Sequence, residues 1–535
     1  MILSGVDSLY EFHELLRRDP ESNKAERLEF LRGSDQWERI HRRVYLNLTG
    51  YYIDTAWDLG NRNAVVEGVD LVQKFLNRDL SPRTRTRAHY QLANGEQYQN
   101  ILDPETQNEP AFTDNEYVRE QIVALRKSLE ESGIQATPDA EVRKRFVNLG
   151  NALDSTGRAV EAIDKYESAL SLYPNHPQAL GNRGMTKIWY GSALYNEGET
   201  VLFLHSANQD LTAALSADGL HPEAIHRFRE SKRGIEEFDV EWLGFDRLEE
   251  ESLGDTDEER RYREWVLSNR LFLNPLNDIS THTSVAEDTF HLPSIITEID
   301  EPLPYPGLYN QMKQEYVSAR YMFYEGLHAG KDHFSDQDVT LANTMDYPAY
   351  GYGTEQMKAG LRLAYSIFDK IAFFLNEYLN LGHHEEAVTF GNLWYENTSW
   401  SDGLHERFEG SENWLLNALY WLRKDFYGGP FEVEASLEIA PSTIERIRNG
   451  LEHRYLKVHR EPVTGSGARG IEDSLKESIT DDELIESGIE MLKIARAGLI
   501  YLSLAVHFEE KMKEAELEDP VVPLPTDWFR DEWKR

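Results

Sequence analysis

The sequence predicts an all-α chain in two parts, a helical-repeat solenoid followed by a helical bundle. Apolar residues recur with helical period along most of the 535 residues. No run of alternating β-branched residues with a two-residue Asn-Gly or Asp-Gly turn stands out. One stretch, from about 143 to 176, carries a strong repeat signal. At this length two to four domains are expected. The boundaries read as a repeat region over 1–235, an acidic and Pro-punctuated connection over 236–307, a bundle over 308–515 and a tail over 516–535.

The repeat segment, EVRKRFVNLGNALDSTGRAVEAIDKYESALSLYP, resembles a tetratricopeptide repeat across its whole length. Phe146, Leu149, Gly150, Leu153, Ala162, Tyr166, Ala169 and Pro174 fall on that family's pattern positions. Small Gly150 and Ala162 let two helices approach closely, Phe146, Leu153 and Tyr166 fill the space around them, and Pro174 stops the second helix. Looser units surround it, at Ala88 to Tyr98 and from Ala179 to Pro222. One repeat cannot bury its own face, so the flanking segments are expected to be degenerate copies or caps.

The connection includes EEESLGDTDEERR, LNPLNDISTHTS and IDEPLPYPG. Helical periodicity then resumes over Gln311 to Leu327, Thr354 to Leu381, Glu412 to Phe426, Pro441 to Val458 and Thr480 to Ala515, joined by polar or Gly-rich loops. The tail, DPVVPLPTDWFRDEWKR, is too Pro-rich to extend the last helix.

Bulk properties narrow the functional classes. With no cysteine there are no disulfides, thiolate zinc sites or cysteine nucleophile. The N-terminus lacks a basic stretch followed by an apolar one, and nothing approaches roughly eighteen uninterrupted apolar residues. A cytoplasmic protein with no membrane partner is expected. The net charge of -38 runs against a nucleic-acid substrate. Arg outnumbers Lys about two to one, and such an acid-rich, Lys-poor surface fits either a high-salt cytoplasm or a solenoid with solvated Glu-rich faces.

The fourth bundle segment carries the chemistry. It reads Arg448, Asn449, three spacers including Glu452, then His453, Arg454 and Tyr455, an R-N-x3-H-x-Y string. Ile444, Ile447, Leu451 and Val458 give it an apolar face with the polar residues off it. On a helix Arg448 and His453 lie roughly 140° apart and flank a groove, whereas Asn449 and His453 share a face. Histidine suits proton transfer near neutral pH, and arginine, always charged and able to bond bidentately, suits phosphate oxygens. Between Glu445 and Arg460, five basic residues (Arg446, Arg448, Arg454, Lys457, Arg460) face two acidic ones (Glu445, Glu452), a local excess of about +3 in a strongly acidic chain.

This string resembles the active-site signature of the HEPN superfamily, in which an Arg, usually followed by a polar residue, precedes a His by four to six intervening positions in a helical bundle. The segment AYSIFDKIAFFLNEYL (Ala364 to Leu379) is similar to the long apolar helix that such bundles place before the motif. The resemblance implies a metal-independent, cofactor-free endoribonuclease, with Arg448 and His453 catalytic, Asn449 orienting, and Arg454 and Lys457 binding substrate. It also implies a homodimer through the bundle in which two motifs line one cleft, and a 2′,3′-cyclic phosphate product. In one HEPN branch the equivalent of Tyr455 is adenylylated by a partner nucleotidyltransferase, which makes Tyr455 a regulatory candidate in a toxin-antitoxin setting. Antiviral defence and stress-induced growth arrest are the other settings that fit. A protein partner on the repeats is the parallel expectation, and an adaptor with an inert dimerising bundle is the alternative from another class.

Other strings read as structure. Gly465-Ser-Gly-Ala-Arg-Gly470 follows no strand and opens no βαβ unit, so it reads as a loop. His383, His384, Glu385 and Glu386 are sequence neighbours, cannot converge on one metal from a helix, and read as a helix-boundary loop. Arg17, Arg18, Arg42 and Arg43 read as solvated helix faces.

Overall fold

The computed structural model describes residues 8–19, 23–107, 112–130, 137–238, 244–297, 304–330, 332–343, 346, 348–426, 455–460, 476–517 and 534. Within them the chain is all-α apart from one pair of short strands. The first five helices, α1 (Leu9–Arg18), α2 (Lys24–Arg32), α3 (Arg42–Asp58), α4 (Arg62–Leu76) and α5 (Pro82–Leu102), close around a core of their own. It holds Phe12, Trp37, Tyr45, Tyr52 and Phe75. Helices start where the sequence supplies caps: Ser8, Asn61 and Ser81 each accept a bond from a backbone N–H of the first turn.

A solenoid of paired helices follows: α6 (Glu116–Ser128), α7 (Asp139–Ser155), α8 (Ala159–Leu172), α9 (Pro177–Ala193), α10 (Glu197–Ser216) and α11 (Pro222–Glu236). Close packing at the expected glycine is evident in the α7–α8 pair, because a Cβ on Gly150 would stand 2.6 Å from the ring of Tyr166. Leu153, Ala162 and Tyr166 are buried, as the repeat pattern requires. Tyr166 donates to Asn151 Oδ1 at 2.9 Å, which satisfies its hydroxyl inside the pair.

The acidic, Pro-punctuated stretch supplies α12 (Asp257–Ser268), capped by Thr256, and an irregular run with Leu271, Phe272, Leu273, Val285 and Phe290 buried. Its backbone is satisfied by two buried arginines of the bundle. Arg496 donates to Phe272 O at 2.5 Å and Asn274 O at 2.7 Å, and Arg320 to Leu271 O at 2.6 Å. Each also has a carboxylate, Asp278 for Arg496 and Asp288 for Arg320.

The bundle comprises α13 (Tyr305–His328), α14 (Tyr352–Tyr378), α15 (Trp414–Phe426) and α16 (Asp481–Glu516). The α13–α14 crossing is close because Gly326 meets Gly353 O and Gly360 meets Ala319 O, where any Cβ would stand 2.5 Å and 2.7 Å away. One core cluster runs without a break from Ala93 to Val506, so solenoid, connection and bundle share an interior.

The helix expected over Pro441 to Val458 is corrected at its end, its residues 441–454 lying outside the described residues. Tyr455–His459 form a strand, β1, paired in parallel with β2 (Lys476–Thr480). The physical reason is local. Leu456 and Val458 alternate, and both are buried, with Val458 set against Ile479 across the pair. The helical spacing from Leu451 to Val458 concealed that period of two. His383 to Glu386 lie in the loop after α14, where His383 donates its N–H to Asn376 Oδ1.

Candidate functional site

Arg448, Asn449, His453 and Arg454 lie outside the described residues, as does the 465–470 loop. Tyr455 and Lys457 are described, and so are the two anchors between which the motif segment is strung. The upstream anchor is the end of α15. The run WLLNALYWLRKDF is largely apolar; of its charges, Arg423 donates to Gly391 O within the bundle, and Lys424 and Asp425 meet partners from the solenoid half. Asp425, fully buried, receives Arg158 at 2.6 Å and Arg126 at 2.9 Å. Burial works against its ionised form, but the two guanidinium groups outweigh that and hold its pKa below the usual carboxylate range. Lys424 pairs with Asp114, which also accepts from Tyr420 Oη at 2.6 Å. Thr113 donates its N–H to Asn417 Oδ1 at 3.2 Å, and its carbonyl accepts from Trp421 Nε1 at 3.1 Å. Phe426, the last residue of the helix, packs on Phe368 with ring centroids 4.7 Å apart.

The downstream anchor is β1. Its inner residues Leu456 and Val458 are buried, and its backbone is held from α14 and the preceding loop: Lys358 Nζ donates to Leu456 O at 3.1 Å and Ala349 N–H to Val458 O at 2.6 Å. The period of two puts Tyr455, Lys457 and His459 on the opposite side. Tyr455 is 41% exposed, whereas Lys457 and His459 are buried at 5% and 3%. Lys457 Nζ meets Asp346 Oδ2 at 2.6 Å and stands 5.4 Å from the Tyr455 ring centroid. Burial disfavours the ammonium, but the bond and charge of Asp346 prevail and its pKa is raised. Lys457 therefore reaches a phosphate only by exchanging a partner it already has, while Arg460, at the strand end, is exposed.

Several exposed apolar side chains lie in the 334–350 segment, among them Phe334, Leu341 and Tyr350. The same segment caps α14, because the Asp336 carboxylate accepts from Tyr352 N–H at 3.0 Å and 3.1 Å.

Sequence reasoning missed the buried charges that join solenoid to bundle. The signal was present: Lys424 and Asp425 interrupt a largely apolar helix, and buried charges persist only when paired.

Among the described residues no helix is long and apolar enough to cross a membrane. No curated protein matches the chain. Residues 296–509 match the family model described as LA2681-like HEPN, a stretch that takes in α13 to α15, most of α16 and the Arg448-to-Tyr455 string, so the C-terminal bundle is HEPN-like.

Proposed function

We propose that the protein is a metal-independent endoribonuclease of HEPN kind, with the solenoid as its sensing or targeting arm. The observation that carries this reading is the family match over 296–509, which encloses the R-N-x3-H-x-Y string. In the proposed reaction the ribose 2′-oxygen attacks the adjacent phosphorus while His453 takes its proton. The bond from phosphorus to the 5′-oxygen then breaks, and a second imidazole protonates the leaving oxygen. Products are a 2′,3′-cyclic phosphate and a 5′-hydroxyl. Arg448 stabilises charge on the crowded phosphorane, and Asn449 orients the imidazole. Arg454 and Lys457 contribute positive charge to the substrate side, Lys457 from behind its pair with Asp346. One chain supplies a single His453, so a homodimer through the bundle completes the acid and base set.

Arg448→Ala and His453→Ala are each expected to abolish cleavage of a structured or single-stranded RNA in EDTA, with the circular dichroism spectrum unchanged. Full activity in either variant removes the catalytic assignment. Failure of the pure chain to cut RNA, together with one stoichiometric protein partner in a pull-down, favours the adaptor reading.

A second reading concerns control. The exposure of Tyr455 on β1 favours nucleotidyl transfer to its hydroxyl by a separate enzyme. An adduct of AMP mass on protein isolated from its native source, lost in Tyr455→Phe, is the expected sign.

A further inference from the structure

Helices α9 to α11 of the solenoid and α16 of the bundle enclose an open groove of about 800 Å³. Ile188, Val201, Leu204 and Ile235 form its walls, and Trp189 and Phe238 stand on its lining at 60% and 58% exposure. That much uncovered aromatic surface is costly in water, at about 25 cal/mol per Å². Such a size and an apolar lining with few polar groups suit a small molecule.

Two of the polar groups come from one helix. His507 and Lys511 are four residues apart on α16 and both line the groove, so they share a face. The Nε2 atom of His507 is buried without a hydrogen-bond partner, and its ring meets Tyr195 edge-on at 5.3 Å. Burial, with some help from Lys511, pushes the imidazole down to about 4, so the ring is neutral near pH 7. Lys511 is exposed and makes no hydrogen bond or ion pair with the described residues, although the chain carries a net charge of -38. The acid of the lining, Glu197, belongs to the first turn of α10, a different wall.

We propose that this groove binds a small amphipathic carboxylate, with its apolar body against the walls and its carboxylate on Lys511 Nζ, beside the neutral His507 ring. The site is assembled from both halves of the chain and stands independently of the nuclease reading. Its occupant would bridge solenoid and bundle.

Calorimetric titration of the full chain with dodecanoate is expected to give saturable one-to-one binding, and dodecylammonium is expected not to bind. Lys511→Glu, an exposed change, should weaken dodecanoate by at least about tenfold, the loss of a charge-assisted contact. Gly234→Leu should abolish binding by filling the groove, because a Cβ at Gly234 meets no atom within 4 Å and the residue lies on the lining. Unaltered dodecanoate affinity in Lys511→Glu overturns the proposal, as does preferential binding of dodecylammonium. Binding of the peptide Asp-Trp-Phe-Arg-Asp-Glu-Trp-Lys-Arg in place of dodecanoate would assign the groove to a protein segment and overturn it equally.

Discussion

Glu96 shows how much a single buried group can govern. It sits on the inner side of α5, where among the described residues only Gln99 Nε2 bonds to it, at 3.1 Å. Burial, reinforced by Glu120 and Glu116, pushes its carboxyl up to about 8 from an ordinary 4.5. The folded chain therefore holds a proton that the unfolded chain releases. The associated stability is complete below pH 4.5 and is lost as pH rises through 8. Glu96→Gln removes this loss, so its Tm should exceed that of the wild type at pH 8 by clearly more than at pH 5, as read by thermal denaturation. Equal differences at the two pH values would mean that Glu96 is ionised in the fold.

Among elements, β1 tests how charge and structure trade. Asp346 and Lys457 are both largely buried, with side chains 11% and 6% exposed, and each neutralises the other. Lys457→Met removes one buried partner of the Asp346 carboxylate and should cost about 3 kcal/mol, whereas adding Asp346→Leu should restore part of it. Denaturant unfolding of the two variants checks this. Weakened RNA binding in Lys457→Met at unchanged stability would instead give Lys457 a phosphate-contacting role. The same strand marks the limit of what periodicity conveys. The spacings that built α13, α14, α15 and α16 were long enough to specify helices, and the repeat pattern located the α7–α8 pair through Gly150 and Tyr166. Five residues of β1 were too few to overrule a helical phase inherited from upstream. Its partner β2 gives no stronger local signal, since it earns its place by pairing and by leading directly into α16, whose cap is Thr480. The candidate site was legible as residue types: Arg448 and His453 declare their chemistry by identity alone. The groups that fix its surroundings, Asp346 and Asp425, were not legible, because their partners come from distant parts of the chain.

At the scale of the molecule, the charges between solenoid and bundle decide whether the two parts act together. Arg158 is fully buried, and Asp425 with Glu161 keeps it charged against that burial. Glu161 in turn accepts from Tyr501 Oη on α16 at 2.5 Å, and Tyr501 Oη accepts from Val160 N–H at 3.0 Å. Asp425→Ala removes the buried acid that Arg126 and Arg158 share and should cost about 3 kcal/mol, seen as a lower Tm for the whole transition of solenoid and bundle. An unaltered Tm would mean that water or another acid compensates Arg158.

The clasp on Asp425 has a mechanical corollary. Asp425 lies in the last turn of α15 and is gripped by guanidinium groups rooted in the solenoid. Any event that reshapes those helices must either carry the end of α15 along or part a carboxylate from these two guanidinium groups in a dry interior, at a penalty of several kcal/mol. Movement of the solenoid at Arg126 and Arg158 is therefore passed to the last turn of α15.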